Sequence, residues 1–432
     1  RAAPSWPRAT GLSAGAVVAV ILAAVGVLAS RVDVALLAVP LVAAVGLSGS
    51  RRISPVETGS ASLELGEPRG EEIGYTLTLL PPTGAEMAVV RYRVLDGEPR
   101  EIVVCGRGAS ELVGRVPLLH SGPQELLRVD CRFLGVDAAS VGAALDPIVA
   151  SRVLAPRQDA VRSLPLPWRL QGLTGTHESA RAGDGGDFRD VHPFRAGDRM
   201  RRIDWKATAR RGQSAGDLYV RRTSALADAT VLVVLDSRDD VGEQVAEWSR
   251  NTAAAKGVSS LDVAREAASS LASAYVHAGD RVGFQDLSSS ARMVPHGGGE
   301  RHLSRVLRAI EVTEPAAFPF RRERAPVVPP GALVFLLSSF LDDAPVRLAL
   351  TWRGSGHRVV AVDVLPSARF ARTDRFERIA HRLVLMEREE RMEVLRARGV
   401  ELLRWPEDGT SLPRHVRLLL LARPARRGRP AR

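Results

Sequence analysis

Two cysteines, Cys105 and Cys131, allow one bridge at most and make no metal motif. No zinc-finger, KH or RRM pattern occurs, so no recognisable reader of specific nucleic-acid sequence is present. No G-x-S-x-G elbow occurs, and nothing in the sequence ties Ser179 to His177 or His192 as a nucleophile needs. The His192-Pro193 step reads as packing. Gly297-Gly298-Gly299 lacks the G-x-x-x-x-G-K-[ST] frame, and no strand leads directly into it. It reads as a surface loop.

What remains is a long, basic chain. Its 432 residues suffice for two or three domains with real cores. The formal charge of +11 comes mostly from arginine. Arginine-rich composition, an anionic membrane surface and nucleic acid each account for such a balance, in that order of preference.

The organisation changes along the chain. Gly11 to Ser30 is uncharged and apolar, about 30 Å as a helix and so about one hydrocarbon core. Val34 to Ser50 is a second, shorter uncharged run carrying Pro40 and Gly46. The expectation is a transmembrane helical hairpin over 1–53, with spans at about 11–30 and 34–50. A cleaved signal peptide is disfavoured because a second span follows at once. Arg1, Arg8, Arg51 and Arg52 flank the hairpin, which places both termini and the soluble domains on the cytoplasmic side of the inner membrane.

Residues 54–153 carry short β-rich runs (Ser62 to Leu65, Ile73 to Leu80, Met87 to Val94, Glu101 to Val104, Leu126 to Phe133) broken by Gly, Pro and Asp. They predict a small antiparallel sandwich-like domain. In the cytoplasm both cysteines would stay reduced, as small core residues. Residues 154–227 read as a connector and a distinctive segment. From 228 to 422, apolar β-branched runs such as Ala229 to Leu235 and Ala332 to Leu337 alternate with helical patterns. That alternation predicts an α/β domain with a doubly wound parallel sheet. A last helix is expected over Leu412 to Ala422, and 423–432 reads as a basic disordered tail.

Gly183 to Arg222 holds six Asp and ten Arg or Lys, interleaved with Phe188, Phe194, Ile203, Trp205 and Tyr219. The aromatics do not recur at helical spacing, and Gly183, Gly185, Gly186 and Gly197 suggest turns. The expectation is a compact, loop-rich segment with its aromatics in a core and Asp204 paired to Arg201 or Arg202 around Trp205. The run Gly186-Asp187-Phe188-Arg189-Asp190-Val191-His192-Pro193-Phe194, then Gly197-Asp198-Arg199-Met200-Arg201-Arg202-Ile203-Asp204-Trp205-Lys206-Ala207-Thr208-Ala209-Arg210, then Leu218-Tyr219-Val220-Arg221, resembles the domain of unknown function 58 family. Asp187, His192 and Phe194 stand where that pattern usually has Glu, Arg and Tyr. The signature positions are Asp187, Phe188, Arg189, His192, Gly197, Asp198, Arg201, Arg202, Asp204, Trp205, Arg210 and Tyr219.

The resemblance implies a von Willebrand factor A-like domain after the signature. Such domains hold a metal at D-x-S-x-S beyond the first buried strand, where open α/β sheets bind ligands. Here the run is Asp236-Ser237-Arg238-Asp239-Asp240, followed on a later edge by Ser338, Ser339, Asp342 and Asp343. Asp236, Asp240, Ser338 and Asp342 would make a degenerate site. Arg238 cannot ligate a cation and supplies its charge instead. No cofactor is expected, and Mg²⁺ only weakly. The resemblance also implies a partner, a MoxR-type AAA+ ATPase, and a chaperone-like or envelope-related role. The expected function is a membrane-anchored, non-enzymatic accessory protein. The alternatives are a hydrolase or transferase with its site in 183–222, and an arginine-driven binder of nucleic acid or an anionic surface.

Overall fold

A computed structural model describes residues 11–50, 59–106, 108–135, 141–161, 164–170, 175–214, 216–250, 257–288, 293–315, 325–370 and 373–405. The helix expected at Leu412 to Ala422 and the tail after it lie outside the described residues. The chain divides into two compact units, Arg1–Leu119 with Gln124–Arg152, and His120–Pro123 with Val153–Arg432.

The first unit opens with helices α1 (Gly11–Leu28), α2 (Val32–Leu36) and α3 (Ala38–Ser50). This corrects the expected transmembrane hairpin. Among the described residues no helix is long and apolar enough to cross a membrane. The reason lies in where the helices stop. Helix α1 has 18 residues, about 27 Å at 1.5 Å per residue. The second apolar run breaks at Leu37, which leaves α3 with 13 residues, only about 20 Å. Both fall short of the roughly 30 Å that a span requires. The result is one cluster of short helices in which Gly26 abuts the backbone of Ala35.

The rest of this unit is β structure. Strands β1 (Ser60–Arg69), β2 (Glu72–Leu80), β3 (Ala85–Val94), β4 (Arg100–Cys105), β5 (Ser110–Pro117), β6 (Gly122–Gly135), β7 (Val141–Ala144) and β8 (Ile148–Leu154) follow in order. They form two antiparallel sheets, β1-β2-β5 and β4-β3-β6-β7, with β8 also paired to β6. Leu77 and Leu79 of β2 meet Ala88 and Val90 of β3 and Leu127, Val129, Cys131 and Phe133 of β6 in one buried cluster. Alternate residues point inward, as a half-buried strand requires. Cys131 lies in this core, whereas Cys105 is exposed.

The second unit holds two sheets. Residues read as loop-rich instead make a long hairpin, β9 (His177–Pro193) paired antiparallel with β10 (Tyr219–Ala227). Between its strands lie a 3-10 turn, Met200–Arg202, and α4 (Trp205–Arg211). The second sheet is built from β11 (Thr230–Leu235), β12 (Arg281–Asp286), β13 (Met293–Gly297), β14 (Leu333–Ser338), β15 (Arg358–Asp363) and β16 (Glu401–Arg404). Its order is β13-β12-β11-β14-β15-β16. All its pairings are parallel except β12 with β13. The sheet is therefore mixed, not wholly parallel. The antiparallel β13 is a short, half-exposed strand ending in glycine, and its sequence gave no apolar run to predict it.

Helices cover both faces of this sheet. α5 (Ser260–His277) and α6 (Glu300–Glu311) bury Leu261, Leu271, Tyr275, Leu303, Val306 and Ile310 against one. α7 (Ala344–Gly354) and α8 (Arg375–Ala397) bury Val346, Ala349, Trp352, Met392 and Leu395 against the other. Leu164 and Leu166 pin the expected connector to the first face, where the Tyr275 hydroxyl donates to the Pro165 carbonyl at 2.5 Å. Because β12 and β14 flank β11 on opposite sides, the loops leaving β11 and β14 diverge at a topological switch point.

Candidate functional site at the carboxyl edge of the sheet

The loops beyond β11, β12, β14 and β15 bring together an interlocked set of carboxylates, hydroxyls and guanidinium groups. Asp236 follows β11, and its backbone N–H donates to the Leu337 carbonyl at 2.9 Å. Arg238 donates to both oxygens of Asp236, from Nε at 2.8 Å and from Nη2 at 2.9 Å. The same guanidinium reaches Asp342, from Nη1 at 2.9 Å and Nη2 at 3.1 Å. Ser338 Oγ donates to Asp236 Oδ2 at 2.7 Å. Burial works against the Arg238 charge, but the two carboxylates more than offset it and hold the guanidinium charged.

Three of the four predicted site residues, Asp236, Ser338 and Asp342, thus converge, and Asp240 does not join them. It is buried and accepts from the Leu261 N–H at 3.0 Å and the Ser260 hydroxyl at 3.4 Å, at the start of α5. Burial and then the nearby Asp262 charge raise its carboxyl above the usual range.

The geometry of these residues is set by Arg238, not by a cation. Mg²⁺ needs near-octahedral oxygen ligands at about 2.0–2.1 Å. Arg238 already engages both oxygens of each converging carboxylate. Among the described residues no group of three or more His, Cys, Asp or Glu is arranged to hold a metal ion. Asp239 stands beside this cluster with its carboxyl raised to about 6, by burial first and then by the charges of Asp236 and Asp342.

Further members of the edge escaped sequence reasoning. Ser237 Oγ donates to Asp286 Oδ1 at 2.5 Å and lies 2.6 Å from Ser288 Oγ, and the Ser288 N–H donates to Asp286 at 2.9 Å. Arg388 of α8 donates to the Ser339 carbonyl at 2.8 Å and forms an ion pair of 2.5 Å with Asp363. A charged residue closing an apolar strand, as Asp286 and Asp363 do, was the available signal.

Helix α8 flanks this edge, with Arg388 on the Ser339 carbonyl and Arg391 on Asp343. His381 is buried between Trp248 and Phe370, each ring centroid 5.0 Å away and edge-on. Burial lowers its pKa and favours the neutral ring. Phe376, Ile379, Leu383 and Met386 are nonetheless exposed, Phe376 by 78%. Their spacing puts them on one helical face. At the amino ends of β14 and β15, a cavity of about 670 Å³ is lined in part by Trp168, Arg169, Gly331, His357 and Arg358. Of its lining residues, Arg358 pairs with Glu401 at 2.8 Å, and the Trp168 ring lies 4.3 Å from the Arg353 guanidinium.

The signature residues gather on the hairpin, away from any core. Asp187 and Arg189 lie on β9, but their side chains are outside the described residues, as is that of Ser179. Phe188 is exposed beneath the Arg221 guanidinium, 5.0 Å from its centroid. His192 Nε2 lies 3.6 Å from Asp198, which accepts from the Arg195 N–H at 2.9 Å beside Gly197 at φ +101°. Arg201 and Arg202 end the 3-10 turn, and Arg210 lies in the last turn of α4. Asp204 is the N-cap of α4 and accepts from the Ala207 N–H at 2.9 Å. Tyr219 opens β10 and donates from its backbone to Thr208 Oγ1 at 3.0 Å. Trp205, expected as a core anchor, is 67% exposed. His177, set aside as a nucleophile's partner, pairs with Asp280 at 2.9 Å.

Residues 190–369 match the family described as "Protein of unknown function DUF58". The match joins the second half of the hairpin to the α/β sheet through β15. No curated protein matches the chain.

Proposed function

We propose that this chain is a non-enzymatic accessory protein whose α/β unit, of the von Willebrand factor A-like kind, docks a partner along its carboxyl edge. The observation that carries the reading is the Asp236–Arg238–Asp342 lattice. In this place a metal-dependent unit would keep a cation with an open position for its ligand. Here a guanidinium holds both carboxylates, so the edge is a preformed polar surface. The sheet order with an antiparallel β13, and an Asp directly after β11, support the von Willebrand A-like assignment. The exposed apolar face of α8 beside the edge supports docking, since large apolar groups aligned on one face mark interaction sites.

The partner we propose, from the family resemblance, is a MoxR-type AAA+ ATPase, and the role is chaperone-like assembly. The test is co-purification of that ATPase with the full chain at low salt, with and without ATP, and in parallel with Asp342→Ala and Leu383→Asp. Retention by the full chain and loss with Leu383→Asp is the expected result. No retention by the full chain under either condition removes the ATPase from the reading. Turnover of a substrate by the purified chain, stopped by Asp204→Ala without unfolding, replaces the reading with an enzymatic one.

A further inference from the structure

The tip of the β9–β10 hairpin is a surface distinct from the carboxyl edge. Met200 is 72% exposed, Trp205 67% and Phe188 53%. Exposing so much apolar area is unfavourable in water unless something covers it. Arg195, Arg201, Lys206, Arg210, Arg211 and Arg221 are exposed in the same segment, Arg221 over the Phe188 ring. Three carboxylates of the same stretch serve local backbone. Asp198 accepts from the Arg195 N–H, Asp204 from Ala207 N–H, and Asp217 from the N–H groups of Gln213 and Ser214. The tip therefore presents cations and apolar groups in one segment, with Asp198, Asp204 and Asp217 turned to turns and caps.

The platform is also held in shape. The Asp204 N–H donates to the Tyr219 carbonyl at 2.8 Å, the Phe194 N–H to Leu218 at 2.7 Å, and the Tyr219 N–H to Thr208 Oγ1 at 3.0 Å. Val220 is buried on β10. A surface fixed before binding loses little entropy when a partner arrives.

We infer that this tip docks an acidic protein segment carrying apolar side chains. Composition decides between macromolecules. Trp, Met, Phe and Arg are the residues enriched at protein–protein interface cores, where Lys is depleted, and here arginine supplies all the cations named but Lys206. Guanidinium groups match carboxylates in two-pronged geometry. Single-stranded nucleic acid needs successive aromatic platforms, yet of the exposed rings named here, Phe188 and Trp205, the first already carries the Arg221 guanidinium on one face. The inference does not rest on the ATPase reading, which concerns another surface.

The experiment uses the full chain and a short fluorescein-labelled peptide of glutamate and leucine, read by anisotropy. An all-glutamate peptide, oligothymidylate and phosphatidylglycerol vesicles run alongside. The glutamate–leucine peptide is expected to bind, more weakly as salt rises. Trp205→Ala should weaken it about tenfold, as for an interface hot spot, while leaving the all-glutamate peptide unaffected. Arg210→Glu with Arg211→Glu should abolish both, and Asp342→Ala should change neither. Absence of binding by the full chain overturns the inference. So does unchanged binding by Trp205→Ala, or tighter Trp205-dependent binding of oligothymidylate or vesicles. ATPase capture scored on the same samples separates the two surfaces: no capture by the unmodified full chain, with its peptide binding intact, counts against the carboxyl-edge reading alone.

Discussion

Arg238 grips both carboxylate oxygens of Asp236, at 2.8 and 2.9 Å, and the Asp236 side chain is only 4% exposed. Removing one partner of such a pair leaves a buried charge uncompensated, which costs about 3–5 kcal/mol. Arg238→Ala should therefore lower the urea-unfolding free energy of the second unit by about 3 kcal/mol. Asp342 lies at the rim with its side chain 47% exposed. Asp342→Ala should cost less than about 1 kcal/mol. Equal losses for the two variants would show that the guanidinium is not organised around Asp236.

The same geometry bears on metal binding. With Arg238 between the two carboxylates and Asp240 turned to α5, Mg²⁺ finds no set of vacant oxygens. Isothermal titration of the full chain should show no Mg²⁺ affinity tighter than about 100 µM, roughly 5.5 kcal/mol. A tighter isotherm would mean that the guanidinium yields to the cation.

Asp239 makes the edge sensitive to pH. Burial, then the charges of Asp236 and Asp342, raise its carboxyl from 3.8 to about 6. The folded state thus binds this proton more tightly than the unfolded chain. Stability falls as pH rises from about 4 through 6, and the penalty is complete above that range. Its size is about 2 kcal/mol after discounting for partial exposure. Asp239→Asn should flatten this stretch of the stability–pH curve and stabilise the protein at pH 7. A variant with the same slope as the parent would assign the titration to another group.

Cys105 and Cys131 differ in reactivity for a reason visible in the fold. Burial pushes the Cys131 thiol up to about 11, in the core of the β-sheets, whereas Cys105 is exposed at the end of β4. The thiolate is the reactive form. A thiol reagent at neutral pH should modify Cys105 promptly in the native protein and reach Cys131 only on denaturation. Rapid native modification of both would mean that the β-sheet core opens.

The central strands were legible because their positions are buried on both faces, so Val231 to Leu235 and Leu333 to Leu337 read as unbroken apolar runs. The charged pattern of Met386 to Arg398 predicts a helix, but α8 starts three turns earlier, at Arg375. Its first half exposes Phe376, Ile379 and Leu383, so no inward stripe announces it. The Asp374–Glu377 capping box was the signal that would have found it. Trp205 fails for the opposite reason. An indole among charges suggests a buried anchor, but whether a side chain is covered depends on which face of a short helix meets β10. In the N-terminal runs, apolar composition predicted two spans where the structure has three short helices, because breaks at Leu28 and Leu37 are backbone events that hydropathy does not report.

Asp204 is the sharpest point of difference between a structural and a chemical reading of the hairpin. The sequence suggested pairing with Arg201 or Arg202 around a buried indole. In the fold its Oδ1 accepts from the Ala207 N–H at 2.9 Å, and its backbone N–H donates to Tyr219. That is an N-cap, satisfying a donor that the first turn of α4 leaves unpaired. Asp204→Ala should cost about 1 kcal/mol, most visible as faster proteolysis at the tip. Asp204→Ser keeps an oxygen at the cap and removes the charge, so it should recover most of that loss. A salt-bridge or catalytic role requires the carboxylate, and serine would then behave like alanine. Urea melts and limited proteolysis of the two variants decide between these accounts.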